Sequence, residues 1–260
     1  MFDSGGAGHD RGPAVRGPAG CRAEAGGRFD GIDVDWEYPN ACGVGCDTSG
    51  PDALTRVLTA LRRSFGPSAL ITAAVPGDVG KLARSDYAGA ARQATWLSAM
   101  TYDFFGTGTG PGPTAAHSPL TAYAGIPRET ATAEAAVRKL LELGVPSDKV
   151  LLGVGFYGRG WTGVTTPTPG SRGTGPAKGT YELGLEDYRV LAGRCPPTGE
   201  IGGTAYASCG DEWWSYDTPA TITTKMAYVR RTDLGGAFAW ELSGDTPSAD
   251  LLRAMRAGLS

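Results

Sequence analysis

The chain has 260 residues, 41% hydrophobic and 20% charged, which is enough to bury a core and too apolar for a disordered tail. Its 24 Lys and Arg against 27 Asp and Glu leave a net charge of -3, excluding the basic footprint of a nucleic-acid binder and a polybasic lipid-binding face. No apolar run approaches the roughly 18 residues of a membrane helix, and the 41 glycines, about twice average usage, announce many tight turns.

Residues 1–28 are rich in Gly, Ala, Arg and Pro, show no helical or strand period, and offer no apolar stretch for a signal peptide. From Phe29 the texture changes. FDGIDVDW reads as a strand, and Leu54, Val57, Leu58 and Leu61 repeat at i, i+3, i+4, i+7, predicting an amphipathic helix. LITAAV from Leu70 and WLSAMTY from Trp96 are the next strands. A helix is expected over about 132–143, stopped by Gly144 with Pro146 beyond it. VLLGVGF from Val150 is another strand. About 65 residues then separate Gly160 from a helix expected near 222–232, too long for a structureless loop in a compact domain. That stretch reads as a small inserted α+β subdomain. GAFAW from Gly236 and a helix near 247–257 close the chain. Strand then helix, repeated, predicts a parallel sheet of βαβ units. The expected division is 1–28 irregular, 29–160 catalytic, 161–221 inserted and 222–260 the end of the catalytic unit.

Four of the five cysteines form two local pairs, Cys42 with Cys46 and Cys195 with Cys209, each in a Gly-, Pro- or Ser-rich loop. The spacing favours two disulfides and an oxidising, extracellular setting, with a four-cysteine zinc site as the rival. The two histidines, His9 and His117, lie far from either pair. Cys21 is left over.

The most informative stretch is Asp30 to Pro39, DGIDVDWEYP. Alternate strand residues face one side, so Asp33, Asp35 and Glu37 point together, with Ile32, Val34 and Trp36 opposite. Repulsion and desolvation in such a column raise at least one carboxyl pKa, which is how a general acid stays protonated near neutrality. A Mg²⁺ or Ca²⁺ site is the competing use of clustered carboxylates. The glycines of GTGTGPGP, 106–113, lead into a Pro-rich loop rather than a helix, which rejects a phosphate cradle. His117, beside Ser118 and Pro119 in a loop, gives no support for Ser-His-Asp chemistry.

The run DGIDVDWEYP resembles the signature of glycoside hydrolase family 18, the chitinases. AMTYDFFG at 99–106, LGVGFYGRGW at 152–161 and GGAFAWELSGD at 235–245 are similar to that family's sixth, seventh and eighth barrel strands. The cysteine loops and the GTYELGLEDY stretch look like those of secreted actinobacterial enzymes with an α+β insertion. The resemblance implies an α/β fold, a (β/α)8 TIM barrel, with the insertion between strand seven and helix seven. It implies Glu37 as proton donor, Asp35 as the carboxylate that holds the substrate's N-acetyl group, Asp33 as its partner, and Tyr102 on the acetamido oxygen. Met100 and Asp103 would line the same pocket, Trp240 would form the sugar's floor, and Tyr157 and Arg159 would be cleft-wall contacts from strand seven. Tyr181 and Glu182 would touch the glycan from the insertion. The family also implies a cis peptide at Trp240–Glu241.

The implied activity is retaining, substrate-assisted hydrolysis of β-1,4-linked N-acetylglucosamine polymers, with no cofactor and no metal. The implied protein is a secreted monomer whose partner is chitin or a chitooligosaccharide, with no nucleic acid and no membrane. An endo-β-N-acetylglucosaminidase and an inactive chitin-binding relic are the alternatives. The family's first three strands have no counterpart in residues 1–28, which are therefore expected to be foreign to the fold. On that expectation Ile32, Ala73 and Val154 lose apolar partners, and strands four to eight form an open sheet.

Overall fold

The computed structural model describes residues 29–110 and 112–260. The expectations for residues 1–28, for His9 and for Cys21 lie outside the described residues. Among the described residues, eleven strands and seven helices follow in chain order. They are β1 Gly31–Val34, α1 Ala53–Phe65, β2 Leu70–Pro76, α2 Val79–Leu82, α3 Tyr87–Gln93, β3 Trp96–Met100, α4 Ala133–Glu142 and β4 Val150–Gly155. Then come β5 Tyr157–Thr162, β6 Gly175–Pro176, β7 Leu185–Asp187, α5 Tyr188–Arg194, β8 Gly199–Ile201, β9 Thr204–Cys209, β10 Glu212–Tyr216, α6 Pro219–Arg231, β11 Gly236–Trp240 and α7 Asp250–Leu259.

Five strands pair in parallel in the order β1-β2-β3-β4-β11, so all five end on one side. Among the described residues this matches the five-strand sheet expected from the sequence. Among the described residues β1 and β11 are its edges. Ala73 and Val154, expected to lose partners, are instead fully buried in one cluster with Leu58, Ala90 and Leu140. Their cluster joins strand residues to residues of α1, α3 and α4. Ile32 is half-buried.

Local signals set the helix ends. Thr132 accepts from the Ala135 N–H to start α4, and Gly144, at φ 89, ends it in the left-handed region that glycine enters freely. Thr218 and Thr221 form a reciprocal cap ahead of Pro219, so α6 begins three residues before the expected Ile222. In α1, Leu54 and Leu58 are buried and Leu61 packs against the core, while Val57 sits at the margin, 37% exposed.

The seventh-strand expectation needs correcting. LGVGFYGRGW is not one strand: β4 stops at Gly155, and Tyr157 and Arg159 stand on β5, which belongs to a second, antiparallel sheet ordered β6-β5-β10-β9-β8, with β7 also on β5. The break comes from tertiary hydrogen bonds. The Phe156 N–H donates to the Trp240 carbonyl at 2.8 Å, and the Phe156 carbonyl accepts from the Tyr188 N–H at 3.0 Å, so the chain leaves one sheet and enters the other there. The second sheet has its own small core of Trp161, Val164 and Trp213. Trp214 is also fully buried, so Trp213 and Trp214 are packing residues, as Trp161 is. Cys42–Cys46 and Cys195–Cys209 are both disulfide-bonded.

A buried polar knot ties the two sheets together. Lys225 of α6 and Asp217 are each 1% exposed, with Nζ 2.5 Å from Oδ2. Nζ also donates to the Ser118 carbonyl at 2.7 Å, and the Ser118 hydroxyl donates to Asp217 at 2.8 Å. Burial pulls the Lys225 pKa down, and Asp217 pulls against it. Removing one member of such a pair strands the other charge in the interior. Lys225→Met is therefore expected to cost about 3–5 kcal/mol in urea unfolding, and Lys225→Met with Asp217→Leu to cost less than the single change.

Candidate active site

The alternation in β1 continues past its end. Asp33, Asp35 and Glu37 are exposed on one side, while Val34 and Trp36 are half-buried and pack on the core. The register sets Asp33 opposite Thr72, whose hydroxyl donates to the Asp33 carboxylate. Asp35 and Glu37, further along, enter a cleft of about 450 Å³ at the C-terminal ends of the parallel strands. Among the described residues no three His, Cys, Asp or Glu side chains converge as a metal site. The carboxyl pushed above its ordinary value is Asp35, first by desolvation, then by repulsion from Glu37 and Asp33.

The opposite wall comes from the end of β3. Met100 lines the cleft, and the Thr101 hydroxyl anchors the turn by donating to the Gly153 carbonyl at 2.6 Å. Tyr102 stands edge-on to Tyr157 and Phe238 at 6.2 and 6.1 Å. Burial and then the carboxylates of Asp103, Asp35 and Glu37 push its phenol up, so it remains a hydrogen-bond donor. Asp103, at φ 56, accepts from Arg159 Nε at 2.7 Å and from Nη2 at 2.8 Å. Burial works against its ionisation, but the guanidinium outweighs that and holds the carboxyl well below the carboxylate range.

Trp240 ends β11 at the cleft with 56% of its surface exposed, a side chain presented rather than packed. The peptides Trp240–Glu241 and Glu37–Tyr38 are both cis. A second cavity of about 820 Å³ adjoins the cleft through Asp103, Phe104 and Arg128, and holds Arg159 and Glu182. Tyr181 shares a smaller hollow with Trp240 and Tyr157. Of the sequence-derived candidates, Asp35, Glu37, Met100, Tyr102, Asp103, Tyr157 and Trp240 share the main cleft. Arg159, Glu182 and Tyr181 flank it, and Asp33 does not line it.

Several cleft residues escaped the sequence reading. Tyr38 lies inside the DGIDVDWEYP run itself, and Lys81 Nζ stands 3.6 Å over its ring. Asp78, which caps α2, pairs with Arg128 at 3.0 Å. The Asp-x-x-Lys spacing just after the LITAAVP strand was a usable signal for Asp78 and Lys81; Arg128, in a loop, carried none.

The sequence matches the glycosyl hydrolases family 18 over residues 22–245. It is 56% identical over 235 residues to Chitinase 63 of Streptomyces plicatus, covering 89% of this chain and 38% of that protein. The fold superposes on the catalytic domain of the psychrophilic chitinase B from Arthrobacter TAD20 with a TM-score of 0.79 at 30% identity, covering 89% of this chain and 57% of that one. It also superposes on catalytic domain 2 of the Ostrinia furnacalis group II chitinase in complex with penta-N-acetylchitooctaose, with a TM-score of 0.82 at 26% identity, covering 89% and 66% of the two chains. The chain thus spans well under half the length of the Streptomyces relative.

The raised Asp35 carboxyl makes a stability prediction. Its ordinary value is 3.8, and a raised folded value means that ionising Asp35 destabilises the fold. The penalty is absent below that ordinary value and grows as pH rises through the folded one. Asp35→Asn is expected to raise Tm at about pH 7 and to leave it unchanged near pH 3, read by thermal unfolding at both. Equal shifts at both pH values would contradict the assignment.

Proposed function

The chain belongs to the glycosyl hydrolases family 18, with the TIM-barrel-type α/β fold of that family, and on that premise we propose that it is a chitinase. Its substrate is a β-1,4-linked N-acetylglucosamine polymer or oligomer. The observation that carries this reading is the convergence of Glu37 and Asp35, Tyr102 and Trp240, from three separate strand ends, into one cleft. Catalytic residues drawn from the C-terminal ends of different parallel strands are the habit of barrel enzymes.

Glu37 donates its proton to the glycosidic oxygen while the substrate's own acetamido oxygen attacks the anomeric carbon, so the C–O bond breaks as a cyclic oxazolinium forms. Asp35 orients the amide and offsets the positive charge that develops there. The Tyr102 phenol, half-buried and held protonated, donates to the acetamido oxygen. Trp240 offers its exposed face to the apolar side of the sugar. Glu37 then takes a proton from the water that attacks the anomeric carbon, giving net retention. Asp33, through Asp35, sustains the carboxylate column; Met100, Asp103, Tyr157, Arg159, Tyr181 and Glu182 shape the walls along the glycan. We place the protein outside the cell, as its two disulfides favour.

A second reading, a chitin binder without turnover, is favoured by one observation: Asp33 is exposed on a strand that is an edge among the described residues, and Asp35 and Glu37 are exposed just past its end, where water is poorly excluded. Hydrolysis of a fluorogenic chitotrioside separates the two. The chitinase reading expects turnover that falls by about 10²–10⁴ in kcat for Glu37→Gln, with KM little changed. Saturable oligosaccharide binding without turnover in the unaltered chain would select the binder.

A further inference from the structure

The cleft leaves one buried titratable side chain without a role. His117 is fully buried, and among the described residues neither its Nδ1 nor its Nε2 has a hydrogen-bond partner. A polar group orphaned in the interior is uncommon and asks for an explanation. Nδ1 stands 3.7 Å from Oδ1 of Asp103, just beyond hydrogen-bond reach, and the imidazole packs on the Tyr157 ring at 5.3 Å between centroids.

The ring has little freedom to turn away. Its backbone is pinned: the His117 backbone N–H donates to the Ser215 hydroxyl at 3.0 Å, and the His117 carbonyl accepts from the backbone N–H of Phe104, the residue after Asp103, at 2.8 Å. On another side a Cβ at Gly155 would lie 3.2 Å from His117 Cε1, so the backbone of β4 closes that space. Ser118, the next residue, is locked into the buried knot with Asp217 and Lys225, which neutralise each other. What can move toward the imidazole is the carboxylate of Asp103, already held from the exposed side by both Arg159 bonds.

We propose that His117 is a positioning residue of the cleft: its Nδ1–H grips Asp103 from the buried side while Arg159 grips it from the exposed side. The clamp fixes the turn that carries Tyr102 and Phe104. A carboxylate facing Nδ1 selects the tautomer with the proton on that nitrogen. The consequence for turnover rests on the chitinase reading; the contact itself does not.

The test has an arm for each. In the ¹⁵N-labelled chain His117 is one of two histidines, and His117→Asn identifies its signals by removing them. The proposal expects the neutral ring to carry its proton on Nδ1 and expects Asp103→Asn to shift that resonance. A proton on Nε2 alone, or a resonance indifferent to Asp103→Asn, overturns it. On a fluorogenic chitotrioside, His117→Leu is expected to lower kcat/KM by about tenfold, the scale of one lost charge-assisted hydrogen bond. His117→Asn, whose amide can donate from nearly the same place, recovers most of that loss. Equal losses in the Leu and Asn variants, tracking lowered Tm, would make His117 a packing residue and overturn the proposal. If the unaltered chain turns over no substrate, the chitinase reading fails while the tautomer still decides the contact.

Discussion

Every feature of the cleft depends on the period of two along β1 and its continuation to Glu37. Val34 and Trp36 take the core side, so Asp33, Asp35 and Glu37 have only the other side to occupy. A slip of one residue would bury three carboxylates and expose the apolar set, which makes the register strongly specified. Parallel pairing then does the rest. Because β3 and β11 end on the same side as β1, Tyr102 and Trp240 arrive beside Glu37 from residues far away in sequence.

The second sheet supplies the wall that the parallel sheet alone lacks. Arg159 on β5 reaches back to Asp103, and β5 is held by pairing with β10 and β7. The knot of Ser118, Asp217 and Lys225 fastens that sheet to the loop after Asp103, and Thr204 of β9 adds a hydrogen bond to the Ser118 carbonyl at 2.7 Å. A satisfied buried network of this kind contributes less to net stability than an apolar equivalent could, but it fixes one relative placement of the parts it joins. The electrostatics of the two walls differ for the same reason. Asp103 has its own cation and stays ionised, whereas Asp35 is pushed toward its protonated form by desolvation and then by its carboxylate neighbours.

Much of this was legible in the sequence, and the reasons are local. The β1 alternation, the Leu54–Leu58 stripe, the Thr132 and Gly144 helix ends and the two short cysteine spacings each encode their outcome within a few residues. The division of LGVGFYGRGW between two sheets was not legible, because the run is continuous in texture and is broken by backbone bonds to Trp240 and Tyr188 far away. The column's chemistry was half legible: a raised carboxyl was expected of the column, but its place at Asp35 follows first from desolvation there and then from the carboxylates of Glu37 and Asp33 beside it. Arg128 is a site residue only because its loop meets Asp78, the cap of α2, whose Lys81 stands over Tyr38. Ala73 and Val154 are buried in a cluster that includes Leu58, Ala90 and Leu140 from helices of the described chain.

The most direct measurement compares a fluorogenic chitotrioside with a cellotrioside of the same length and leaving group. The two differ in the acetamido group that the proposed route uses as its nucleophile. Substrate-assisted attack predicts turnover of the chitotrioside alone, with the cellotrioside uncleaved at any concentration. Cleavage of both at similar rates would mean that a carboxylate of the protein, as nucleophile or as base for water, replaces the acetamido group. That result would contradict an Asp35 that only orients the amide, and with it the division of labour along the column that begins on β1.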